Sequence, residues 1–509
     1  MTIEAAGPGT DRSGIMEKLI LAIDIGTSAV KASLFAADLR ILDSSSAEYP
    51  TYFPAGGQAE QEAGDWWQSA VKAVSELSSR QGDVMAQVAA IGVSGHMLGL
   101  LPVDKEGNAL MRSMIHTDSR ASEEARQLAG RFGVEQLYNW TGNVLSPAAS
   151  LAKAMWVRNR HPDIYANTFA FLQSKDYMVM KLTGGVFSAD YSDASHGLLL
   201  NLDTMTYLTD VFEAMGLDAD KFPPLHKSHD VVGVLCAAAA QQMGLMEGIP
   251  VVAGGGDGAC ANVGSGLAHK GDIYCSLGTT AWIAFNSEKQ FRDEQRRVFN
   301  IVSLDGESFG VFGTMQAAGR SVSWVQEIFG VASPVELDER AATVPAGSDG
   351  LIYLPYIEGE RSPIYDSEAR GVFFGMHVSH TANHFLRATL EGVAFALSSI
   401  LEVSGGKDTA RILRIIGGGA KSALWKQILA DICERDIADL TVPAAAVTSL
   451  GAAVAAGVGT GIFTGYADAV KNIGIKAVTL HLPENTKLYA KNKEKYARLY
   501  PQLKEIYHM

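Results

Sequence analysis

From Leu19 onward the chain alternates short apolar runs with stretches whose apolar residues recur every three or four positions. That alternation predicts strands and amphipathic helices layered as an α/β protein. Leu19 to Ile25 is apolar, Gly26-Thr27-Ser28 follows, and a second β-rich run extends from Ala29 to Phe35. Two such runs around so tight a turn predict a hairpin. Asp65 to Leu77 reads as a capped helix, and Val88 to Val93 as a buried strand ending at Ser94-Gly95-His96-Met97. In the second half, Leu386, Leu390, Val393, Leu397 and Leu401 mark the core stripe of a long helix. Ile412 to Ile416 reads as a strand running into Gly417-Gly418-Gly419-Ala420-Lys421-Ser422. A helix is expected over Ala423 to Cys433 with Ser422 as its cap, and Glu484 to Met509 as a terminal amphipathic helix.

The pattern also repeats itself. LILAIDIGTSAVKASLF at the start has an echo in DIYCSLGTTAWIAF from Asp272. Both read strand, x-Gly-Thr-(Ser/Thr), strand, and aligning the turns sets Asp24 opposite Ser276. A repeat about 250 residues apart suggests two related domains, each offering one glycine-threonine turn.

The 509 residues are enough for two α/β domains, and 47% hydrophobic against 19% charged residues is the balance of a globular chain. A formal net charge of -14 argues against nucleic acid or an anionic membrane as the main partner, since both reward a basic surface. The four cysteines, Cys236, Cys260, Cys275 and Cys433, form no C-x-x-C pair and read as small hydrophobes in a reducing, cytoplasmic compartment. Leu440 to Ala467 lacks charge and is long enough to span a bilayer, but Pro443 and five glycines interrupt it. A strand, a turn and a buried Ala/Gly-rich helix are expected there. Residues 1–16 lack a signal peptide's apolar core and are expected to be a disordered extension, with Met16 an alternative start.

Three segments carry candidate chemistry. A Gly-Thr/Ser turn lets backbone approach a ligand and offers N–H and hydroxyl donors to phosphate oxygens, so two facing turns would hold a triphosphate from both sides. Asp24 is placed to bind Mg²⁺ through water, its alternative being an ordinary turn carboxylate. Asp257, in Gly254-Gly255-Gly256-Asp257-Gly258 after an apolar strand, sits where α/β sheets build ligand sites. It is either a general base for an attacking hydroxyl or a helix N-cap. Gly417 to Ser422 either receives a flat adenosine or makes a plain strand-to-helix turn. No G-x-x-x-x-G-K-[ST] loop, dinucleotide fingerprint or protein-kinase signature occurs.

Together these residues resemble the FGGY carbohydrate kinases, of the sugar kinase, actin and heat-shock chaperone ATPase superfamily. Ser150-Leu-Ala-Lys153-Ala-Met-Trp156 is similar to the family's first signature, with Arg160 departing from its last position. Gly371-Val-Phe-Phe-Gly375-Met through His384-Phe-Leu-Arg-Ala388-Thr-Leu390-Glu391 matches the second. The resemblance, covering Leu19 to Phe463, implies two actin-like (ribonuclease H-like) domains around a central cleft, residues 17–247 and 248–509. It implies ATP and Mg²⁺ as cofactors, with Asp24 toward the metal and Asp257 as catalytic base. Gly26, Thr27, Ser28 and Lys31, with Gly278, Thr279 and Thr280, would face the phosphates. Gly418, Gly419, Ala420 and Ser422 would face adenosine.

Within the family the pocket segments are most similar to those of xylulose kinases, which makes His96, Met97, Asp118 and Arg120 candidates for the sugar. Leu98 and Gly258 depart from that pattern by removing hydrogen-bonding side chains. D-xylulose phosphorylation is therefore the first expectation. Ribulose, gluconate, glycerol or another polyol is the alternative, and a nucleotide switch or a non-catalytic regulator the reading from a different class. Glu360 and Arg361 are expected to form a structural ion pair under the cleft. The partners implied are a small sugar and ATP, with a homodimer as the common family assembly.

Overall fold

The computed structural model describes residues 18–406 and 409–509. The extension expected over 1–16 lies outside the described residues. Two seven-stranded sheets organise the rest. In the first, Leu19–Ile25 pairs antiparallel with Ala29–Ala36 and parallel with Val88–Gly95. In the second, Ile273–Leu277 pairs antiparallel with Ala281–Ser287 and parallel with Ile412–Ile416. The sequence echo is thus a repeat of topology: hairpin, then a parallel neighbour on the hairpin's first strand. Asp24 and Ser276 hold equivalent places, each one residue before the end of its strand.

Each sheet has its own core. Trp66, Ala70, Val74 and Leu77 on helix Ala63–Gln81 cover one face of the first sheet. Leu386, Leu390, Val393, Leu397 and Leu401 on helix Ala382–Val403 cover the second, as their spacing predicts. Terminal helix Pro483–Tyr507 closes that core with Tyr489 and Tyr496.

A third core lies between the sheets and explains the uncharged stretch. Helix Val447–Gly459 packs with helix Asp257–Gly264 and against the first two parallel strands. Ile20, Ala22 and Val252 of the first sheet meet it from one side, Tyr274 and Ile416 of the second belong to the same cluster. The helices cross almost backbone to backbone. A Cβ on Gly264 would lie 1.9 Å from the Val447 carbonyl oxygen, and one on Gly451 the same distance from that of Cys260. Small residues and no charge are what so close a crossing requires. No helix among the described residues is long and apolar enough to cross a membrane.

The sheets divide the chain later than 247/248. Pro250–Val252 and Gly255–Gly256 both pair with Val88–Gly95, so the segment leading to Asp257 belongs to the first sheet.

Candidate active site

The first sheet's register assembles the centre of the site. Lys31, Asp24, Ser94 and Gly255 lie in one row across four strands, and the chain enters helix Asp257–Gly264 two residues later. Asp24 and Asp257 therefore approach one another at the carboxyl ends of two strands that flank Val88–Gly95 on either side. Both side chains are half-buried. Asp24 Oδ1 is sealed from solvent without a hydrogen-bond partner. Burial raises its carboxyl above the ordinary range, against the pull of the Lys31 ammonium.

Asp257 is not the cap that its position after a strand allows. The N-cap is Gly256, and no side chain caps this helix. Burial, and next the charge of Asp24, push the Asp257 carboxyl up to about 7. Met97 packs against the backbone on both sides of it: Cβ atoms on Gly256 and Gly258 would lie 2.6 and 3.5 Å from the Met97 sulfur.

The two glycine-threonine turns share an electrostatic arrangement that their sequences do not disclose. In the first, the carbonyls of Gly26, Thr27 and Ser28 accept from Tyr49 Oη, from Gln61 Nε2 at 2.7 Å and from Tyr49 N–H at 3.1 Å. In the second, Gly278 O accepts from Gly319 N–H at 2.9 Å, and Thr279 O from Ala318 and Arg320 N–H at 3.0 and 3.1 Å. The carbonyls are thus tied back from behind. Among the described residues the N–H groups of Thr27, Ser28, Thr279 and Thr280 make no backbone hydrogen bond of this kind, and Thr27, Ser28 and Thr279 are exposed. What each turn presents is donors, the requirement for a phosphate.

Packing accounts for two of the three glycines at 417–419. Gly417 has φ +99°, and a Cβ there would lie 2.5 Å from the Leu277 carbonyl oxygen. A Cβ on Gly419 would strike the Leu277 side chain at 2.5 Å, whereas Gly418 faces open space. Half-buried Ala420 packs on the second core. Ser422 accepts from Trp425 N–H at 2.9 Å, so it is the expected helix cap.

The candidate sugar residues form two layers. His96 and Met97 lie in front. His96 is 2% exposed with neither ring nitrogen hydrogen-bonded, and burial holds it neutral, with a value of about 3. His116, which sequence reasoning passed over, lies 6.4 Å from it between ring centres. Asp118 and Arg120 lie behind and are largely spent on each other. Arg120 reaches Asp118 Oδ2 at 2.6 Å and Glu60 at 2.7 Å, and stacks on Trp156, while Asp118 Oδ2 also accepts Ala59 N–H at 2.7 Å. Between the layers, buried Lys153 of the first signature donates to the carbonyls of Leu98 and Ile115 at 2.6 and 2.7 Å. It thereby ties together the loops that carry Met97 and His116, and holds Leu98 at its left-handed φ of 60°.

Lys31 and Glu360 each make contacts that the sequence did not disclose. Lys31 donates to the Ala445 carbonyl, so its ammonium bridges to the segment before helix Val447–Gly459. Among the described residues no Glu360–Arg361 ion pair forms. Buried Glu360 instead accepts the N–H groups of Gln316 at 2.6 Å and Arg361 at 2.8 Å, and burial raises it to about 8.

Residues 19–264 match the N-terminal domain model of the FGGY family of carbohydrate kinases, and residues 273–460 the C-terminal one. The chain is 34% identical to a xylulose kinase of Bacillus subtilis over 96% of its length and 97% of the relative's. The chain belongs to the FGGY family of carbohydrate kinases. A gluconokinase of the same organism is 28% identical, covering 83% of this chain and 84% of its own. The crystal structure of a xylulose kinase from Rhodospirillum rubrum superposes with a TM-score of 0.88 at 27% identity, covering 97% of this chain and all of that one. Membership makes the chain an ATP-dependent sugar kinase with the actin-like fold.

Proposed function

We propose that the kinase transfers the terminal phosphoryl group of ATP to O5 of D-xylulose, with the Asp257 carboxylate accepting the hydroxyl proton. The carrying observation is that Asp257 caps no helix and keeps a carboxyl near 7, where a base works best at neutral pH. Full-length identity of 34% to a xylulose kinase supports the choice of sugar. His96 offers a neutral ring nitrogen to a sugar hydroxyl, and Met97 supplies the apolar wall beside Asp257. The donors of Thr27 and Ser28 and of Thr279 and Thr280 bind phosphate oxygens, and open Gly418 receives adenosine.

The orphaned Oδ1 of Asp24 fits Mg²⁺. Among the described residues no three His, Cys, Asp or Glu side chains cluster to cage a metal. One carboxylate is what a phosphate-bridging Mg²⁺ typically takes from a protein. When bound, the ion would neutralise charge on the phosphates. ATP dependence and four unpaired cysteines fit work in the cytoplasm.

An aldonate is the second reading, favoured by exposed Arg361, whose charge reaches the His116 ring. An ADP-release assay across pentuloses, hexuloses, aldonic acids and polyols tests both. Turnover highest with D-xylulose supports the proposal, whereas turnover confined to gluconate transfers the assignment to the Arg361 reading. Sugar-independent hydrolysis alone overturns both.

A further inference from the structure

Beneath the site lies a cluster of charge that the proposed chemistry does not use. Lys175, Asp176, Asp190 and Asp193 are all fully buried or nearly so. The Lys175 ammonium contacts Asp176, Asp190 at 2.9 Å and Asp193 at 3.3 Å. Burying such charge costs several kcal/mol per ion, and apolar residues would serve stability at least as well. A cluster of this kind is better explained by something it holds in place.

The hydrogen bonds lead in one direction. Asp190 Oδ2 accepts from the Ser192 hydroxyl at 2.5 Å and the Ser228 hydroxyl at 2.9 Å. With its proton committed to Asp190, Ser192 Oγ is left as an acceptor, and it takes the Gly256 N–H at 2.9 Å. Gly254 N–H is anchored beside it on the Ser228 carbonyl at 3.0 Å. This matters because Asp257 stands in a run of glycines. Residues without side chains cannot be fixed by interlocking side chains of their own, so hydrogen bonds to their backbone must do it.

We infer that Ser192, oriented by Asp190 and Lys175, is a positioning residue for phosphoryl transfer. Its hydroxyl fixes the Gly256 peptide and through it the direction of the Asp257 carboxylate. The inference rests on Asp257 being the base. Misplacing a reacting group by about 1 Å costs up to about 10²-fold in rate.

The test is a double-mutant cycle of Ser192→Ala and Asp257→Asn, read as kcat and both KM values with Mg²⁺-ATP and D-xylulose, or the acceptor the panel selects. Ser192→Ala leaves Asp190 its Ser228 and Lys175 partners. If it nevertheless fails to fold, Ser192→Cys keeps the volume with a much weaker acceptor. The expected result is a kcat about 10-fold lower or more, KM values within about twofold, and no further loss from Ser192→Ala once Asp257 is Asn. Unchanged kcat in Ser192→Ala, or the same fold-loss in both backgrounds, overturns the inference. Near-normal turnover of Asp257→Asn alone would instead remove the base assignment beneath it.

Discussion

Asp24 and Asp257 stand at the carboxyl ends of the two strands that flank Val88–Gly95 in one sheet, and the charge of the first helps to hold the carboxyl of the second at about 7. An acid–base group and a candidate metal ligand are therefore electrostatically coupled before any substrate arrives. The coupling has a sign that can be read from outside.

As a base, Asp257 must be deprotonated, so kcat/KM falls as pH drops below about 7. Asp24→Asn removes a like charge, and the acid limb of its residual kcat/KM should move to lower pH. Stability carries the opposite signature. The folded carboxyl lies above its ordinary 3.8, so its contribution to stability is full below pH 3.8 and lost as pH rises through about 7. Asp257→Asn should then raise the melting temperature at pH 8 by roughly 3 °C or more and change it little at pH 4. Calorimetry at the two pH values checks this.

His96 is buried with two unpaired nitrogens, an arrangement that costs stability unless a ligand completes it. His96→Phe keeps an aromatic ring against Trp66, which meets the imidazole edge-on at 5.5 Å. Its melting temperature without sugar should equal or exceed the parent's, while KM for the sugar rises about 10-fold or more and KM for ATP holds. A lower melting temperature with unchanged sugar KM would make His96 a structural residue.

Glu391, at the end of the second family signature, is a structural hub. It accepts from Gly347 N–H, Ser348 Oγ, Arg387 Nε and Tyr489 Oη at 2.7–2.9 Å, all buried. Arg387→Met strips the charge that pairs it and should destabilise the fold by about 3–5 kcal/mol. Denaturant unfolding measures this, and KM values of the surviving folded enzyme should stay within about twofold.

Much of this was legible in the sequence. The strand–turn–strand echo, the leucine stripe of the long helix and the Ser422 cap follow from local periodicity and local hydrogen bonding, and they stand where expected. The uncharged stretch before Ala467 was legible as a buried helix, though only the structure shows two sheets closing on it. What escaped was long-range. The tied-back carbonyls of both turns depend on Tyr49, Gln61 and residues 318–320, which carry no local signal. The contact between Lys153 and two loop carbonyls spans 55 and 38 residues. The domain division expected at 247/248 fell inside a sheet because a three-residue strand, Pro250–Val252, is too short to announce its partner.

The most direct test of the account is the turnover of Asp257→Ala with saturating Mg²⁺-ATP and sugar, measured beside its affinity for ADP. The account predicts a loss on the order of 10²–10⁴-fold in kcat with ADP binding within about twofold of the parent. Turnover close to the parent's would contradict it, and the proton would then have to leave the sugar by another route.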